Sequence, residues 1–178
     1  MKTLHIIKLT LMMVLTPFIF ASCSKTETDS VNTANSSKVS FNNGVIFYKG
    51  YSESGTKQMQ VVLSNRNANF YNISGSASSN DTLVSAIFYS ETDNQIPSGI
   101  YTYSNLPDES PFTFGNASLY LQSADYSSSP PISTITNGSI KLVNDGSQYH
   151  ITFQCVLSSG EIFQSEFHGG MSYFDAHQ

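Results

Sequence analysis

From Val39 onward the apolar residues come in short runs rich in Val, Ile, Phe, Tyr and Thr, each stopped by a cluster of Gly, Asn, Asp, Ser or Pro. Runs of this length and composition predict β-strands, because branched and aromatic side chains fit a half-buried pleated surface. Strands are predicted near 44–52, 57–64, 68–74, 83–90, 99–104, 112–122, 132–143, 148–157 and 161–173. No stretch sustains the apolar repeat of an amphipathic helix. Pro97, Pro107 and the pair Pro130-Pro131 stand in the breaks, where a missing N–H does no harm. The pattern predicts one all-β domain over 39–178, an antiparallel sandwich or barrel of eight or nine strands ending in a C-terminal meander.

The meander can be read to the residue. Asn144-Asp-Gly-Ser147 is a hairpin signal, and taking Asp145-Gly146 as a two-residue loop pairs residues whose numbers sum to 291. Ile140 then faces Ile151 and Leu142 faces Tyr149, while Lys141 faces His150 and Ser139 faces Thr152 on the polar side. A three-residue loop at Ser158-Ser-Gly160 pairs residues that sum to 318. Ile151 then faces Phe167 and Cys155 faces Phe163; outside, Thr152 faces Glu166, Gln154 faces Gln164, and His150 faces His168. Both hairpins bury the same face, as a one-sided sheet requires. Cys155 is thereby expected in the core beside Phe153, Leu157 and Phe163.

Before Val39 the pattern is different. Lys2 and Lys8 precede an apolar run, Leu9 to Phe20, and then Ala21-Ser22-Cys23. A basic start, a short apolar stretch and small residues before a cut are secretory features. About 12 apolar residues are too few for a membrane span, which needs about 20. Ser24 to about Lys38 is polar, too poor in apolar residues to fold, and reads as a linker. Phe20-Ala-Ser-Cys23 resembles the lipobox of bacterial lipoproteins, although that pattern usually has Leu at the Phe20 position. The resemblance implies residues 1–22 as a signal peptide, diacylglycerol on Cys23, and a lipidated linker over 23–38. Ser24 rather than Asp after the cysteine implies the outer membrane, with the membrane face left open.

Without Lys2 and Lys8, six basic residues of the eight remain against thirteen acidic ones, a net charge of −7. That balance disfavours nucleic acid and anionic lipid surfaces as partners and points to no nucleic-acid role. Of the two cysteines, Cys23 is the lipid acceptor that the lipobox resemblance implies, which leaves Cys155 without an expected disulfide partner.

The run from Thr136 to Gly146, the strand Tyr149-His-Ile-Thr-Phe153, the Gly160 turn and Phe167-His-Gly-Gly170 together are similar to small envelope lipoproteins of the Bacteroidota. Ile96-Pro-Ser-Gly-Ile-Tyr-Thr-Tyr103 resembles another piece of that pattern. The resemblance implies a lipocalin-like barrel or a sandwich and carries no catalytic residues.

Candidate chemistry is sparse. His150 and His168, placed opposite each other, could grip one metal ion with Glu166 as a third ligand. The alternative is two exposed histidines on a solvated sheet, and Lys141 opposite His150 favours it. Outward members of the aromatic clusters, with Tyr48, Tyr89, Tyr101 and Tyr103 as candidates, could form a binding platform or be ordinary sheet surface. No serine sits in a nucleophile elbow. The carboxylates Asp81, Glu91, Asp93, Asp108, Glu109 and Asp125 are scattered through turns, so no pair is marked for glycoside hydrolysis. The sequence therefore points to a non-enzymatic, lipid-anchored envelope protein without a cofactor, held to the membrane at its N-terminus, that binds an unidentified ligand or envelope partner. A lipocalin-like carrier of a small apolar ligand is one alternative and a glycan-directed hydrolase another.

Overall fold

The computed structural model describes residues 38–65, 81–92, 94–105, 109–121 and 130–177. The expected signal peptide, Cys23, nearly all of the expected linker and the strand expected over 68–74 lie outside the described residues.

Ten strands are described: β1 (Lys38–Phe41), β2 (Asn43–Tyr51), β3 (Lys57–Ser64), β4 (Thr82–Ser90), β5 (Gly99–Tyr103), β6 (Thr113–Leu121), β7 (Ser133–Asn144), β8 (Tyr149–Leu157), β9 (Ile162–Gly169) and β10 (Ser172–Asp175). They form one sheet in the order β1-β9-β8-β7-β5-β6-β4-β3-β2-β10, with β6 also pairing β7. The chain is all-β, as its periodicity predicts. The sheet is mixed rather than wholly antiparallel, because β1–β9, β2–β10 and β5–β6 run parallel.

The sheet curls until its ends meet, and connectivity forces this. Asn42 alone separates β1 from β2, although β1 stands at one end of the order and β2 beside the other. Successive Cα atoms lie only about 3.8 Å apart, so the two ends are neighbours. Registers agree: β1 pairs β9 at an offset of 126 residues (Lys38 with Gln164), and β2 pairs β10 at 127 (Val45 with Ser172). The first and last strands thus run side by side, each broken once, at Asn42 and at Gly170-Met171. The single strand expected over 161–173 is therefore two strands, and Lys38 belongs to β1 rather than to the linker.

Inside the curl, the side chains of one face meet. Tyr101, Phe88, Phe114, Phe153, Phe163 and Phe167 are all fully buried there, with Met59, Leu63, Ile135 and others between them. Phe88 and Tyr101 meet edge to face at 5.0 Å between ring centroids, an arrangement aromatic quadrupoles favour. A smaller apolar layer, Val45, Val62 and Leu83, lies apart from this core.

The second meander hairpin has the expected register: Cys155 faces Phe163, Ile151 faces Phe167 and His150 faces His168. Gly160 closes its three-residue loop at a φ of 84°, which only glycine adopts freely. The first hairpin departs from expectation by two residues. Its pairs sum to 293, so Leu142 faces Ile151, Ile140 faces Phe153, Lys141 faces Thr152, Ser139 faces Gln154 and His150 faces Val143. The Asp145 carboxylate is the reason. It accepts hydrogen bonds from the backbone N–H groups of Ser147 (3.0 Å) and Gln148 (2.7 Å), folding Asp145–Gln148 into a four-residue loop. A shift of two keeps every side chain on its face, so Ile140 and Leu142 are buried as expected.

Candidate functional site

The polar sites expected from sequence are placed unevenly. His150 and His168 do face each other, with ring centroids 5.7 Å apart, above a hollow shared with Ser40, Phe41, Asn42 and Glu166. Glu166, however, is turned to Lys38, 3.2 Å from its ammonium in an exposed ion pair. Among the described residues no three His, Cys, Asp or Glu side chains converge to hold a metal ion. The histidines are thus assembled as a pair without the third ligand. Lys141, expected opposite His150, faces Thr152 instead.

The tyrosines do not form an outward platform. Tyr48, Tyr89 and Tyr101 are buried and Tyr103 is half-buried. Tyr101 points into the core, where its hydroxyl donates to the Pro97 carbonyl at 2.9 Å, and burial pushes its phenol well above the ordinary range. Tyr89 and Tyr103, by contrast, line one recess together.

That recess exists because the sheet forks. β5 is wedged between β6 and β7 over part of their length. Thr113 and Phe114 of β6 pair with β5, while Ser118 and Leu119 pair directly with β7. Gly115, Asn116 and Ala117 span the fork, and a bulge against β4 falls on the same stretch. Asn116 takes the left-handed conformation there (φ 45°), which asparagine tolerates better than most residues. A recess of about 260 Å³ opens at this point, lined by Tyr89, Tyr103, Ser104, Asn105, Glu109, Gly115 and Asn116. Gly115 keeps it open, since a methyl group there would sit 3.0 Å from the Ser104 carbonyl and against the Tyr89 ring.

Glu109 supplies the charge. Its backbone is fixed: its carbonyl accepts hydrogen bonds from the Ser54 and Thr56 hydroxyls in the β2–β3 turn. Its carboxylate oxygen Oε2 is buried and has no hydrogen-bond partner. The Tyr89 phenol beside it is held above its ordinary pKa, first by burial and then by the Glu109 charge. An ionised carboxylate is an acceptor only, and leaving one oxygen buried and unsatisfied is costly. Such an exception to polar satisfaction calls for a cause.

A second hollow, about 320 Å³, lies where β1, β4, β6, β7, β8 and β9 share an end, with Leu119, Leu157 and Phe163 among its lining. No protein-family model, curated protein or solved structure matches this chain.

Sequence reasoning met Glu109 only as one of several scattered acids. Nothing local marks it, because the fork that gathers it with Tyr89 and Tyr103 joins segments from three strands. The Gly115-Asn116 pair inside an apolar run is the one local signal, since Gly within a strand marks a bulge or a close approach.

Proposed function

We propose that the chain is a non-enzymatic envelope lipoprotein, anchored through Cys23, whose β-domain binds a small polar ligand in the recess at the sheet fork. The buried, unpartnered Oε2 of Glu109 carries this reading. A buried acceptor without a donor costs free energy that a ligand's donor would recover. The crowded interior supports recognition from outside rather than enclosure. Hydrolysis of glycans would call for two carboxylates across a cleft, and among the described residues Glu109 is the carboxylate that lines the recess.

The lipid anchor rests on Phe20-Ala-Ser-Cys23 and on the polar stretch that follows. Expressed in a bacterial host, Cys23→Ala is expected to abolish incorporation of labelled palmitate and to move the protein out of the membrane fraction. Unchanged labelling of the variant would remove the anchor from this account. The carrier alternative draws on the apolar hollow at the strand ends, which falls at the lower bound of small-ligand sites, about 300 Å³. Displacement of a fluorescent fatty acid by Leu119→Trp would favour it over the recess.

A further inference from the structure

Resting on the reading of the recess as the binding site, we propose that its ligand presents a primary ammonium group, with Glu109 as counter-ion. Charge is the first reason. Glu109 forms no ion pair with a described residue, so among the described residues no cation is paired with the carboxylate of the recess. A sugar hydroxyl would meet the hydrogen-bonding need of Oε2 and leave the charge. An ammonium meets both, and charge-assisted hydrogen bonds are about twice as strong as neutral ones.

The lining supplies the rest of an ammonium site. A primary ammonium has three N–H donors. With one directed to Oε2, the others find acceptors among the side chains of Asn105 and Asn116. Tyr89 and Tyr103 add aromatic rings, whose faces attract cations. A quaternary ammonium would satisfy the charge and the rings but has no N–H for the buried oxygen. The preference for primary over quaternary amines is therefore specific to this site. Size sets a further limit: about 260 Å³ is the liquid volume of roughly nine water molecules. The recess thus takes the end of an aminoalkyl chain or a small amine, not a folded partner.

The test uses the full-length protein in detergent micelles and phosphate buffer, with n-butylammonium, tetramethylammonium, n-pentanol and glycerol as probes, followed by ligand-observed NMR titration. Butylammonium is expected to bind roughly tenfold or more tightly than the other three, and Glu109→Gln to remove that advantage. The same variant, without ligand, should melt about 2–4 °C higher, because a glutamine amide can turn a donor where the carboxylate leaves Oε2 a buried acceptor without one. Binding of butylammonium no tighter than pentanol, or undiminished in Glu109→Gln, overturns the proposal. If glycerol instead binds best and depends on Glu109, the ammonium is wrong and the recess stands. If no probe binds in a Glu109-dependent way and the melting temperature does not rise, the recess reading falls as well.

Discussion

Cys155 shows how far one residue's environment governs its chemistry. It is a free thiol at 1% exposure, facing Phe163 across the strand, and burial pushes its pKa from 9.0 to about 12. Only the thiolate is a nucleophile, so iodoacetamide at pH 8 should modify Cys155 slowly in the native protein and fully in denaturant. Rapid native alkylation would show that the meander does not pack as described. The same burial links stability to pH. A group whose pKa is higher folded than unfolded adds stability that is complete below the unfolded value and fades above it. For Cys155 that window runs from about pH 9 to 12, and the Tyr101 phenol, also raised, adds to it. Urea midpoints should hold steady to pH 8 and fall beyond pH 9, with each group contributing about 1.4 kcal/mol per pH unit at most. Cys155→Ala should flatten the start of that fall. His150 and His168 teach the opposite lesson: their pairing follows from strand register, while the third ligand that would give it meaning is tied up by Lys38.

At the scale of strands and turns, alternation fixes faces more firmly than partners. In β8 the buried residues are Tyr149, Ile151, Phe153, Cys155 and Leu157, every second position. The β7–β8 register still moved by two, because the Asp145 side chain competes for the loop's N–H groups in a way that hydrophobic pattern does not record. β7 also hides an irregularity. Ile135 and Ile140 both point inward although they stand five positions apart, which strict alternation would place on opposite faces, since a bulge between Ile135 and Asn137 resets the phase. Gly138 sits beside it at a φ of 118°, and a Cβ there would lie 2.3 Å from the Gln154 carbonyl oxygen. Gly138→Ala meets strain and a backbone clash together, with an expected loss of about 2–3 kcal/mol by urea denaturation. Gly146 and Gly160 have open space around them, so alanine there should cost less, through backbone conformation alone.

For the whole domain the decisive feature is closure. β1 is not among the strands expected from sequence, yet Phe41 is buried and stacks edge to face on Phe153 at 6.5 Å between ring centroids. Ser165 ties the same strand down through a 2.6 Å hydrogen bond to the Val39 carbonyl. Phe41→Ala should therefore destabilise the whole domain by about 3 kcal/mol in a single cooperative transition. A change below about 0.5 kcal/mol, the usual range for exposed sites, would mean that β1 is not part of the closed sheet.

Taken alone, the sequence determined the all-β class, most strand positions, the buried face of the meander and the interior place of Cys155. Each of these follows from alternation and turn residues, which act over a few neighbours along the chain. The parallel closure of β1 and β2 against β9 and β10, the bulge between Ile135 and Asn137 and the fork that gathers Tyr89, Tyr103, Glu109 and Asn116 came only with the tertiary structure. These depend on segments tens of residues or more apart, whose meeting is set by how the curled sheet fills its interior.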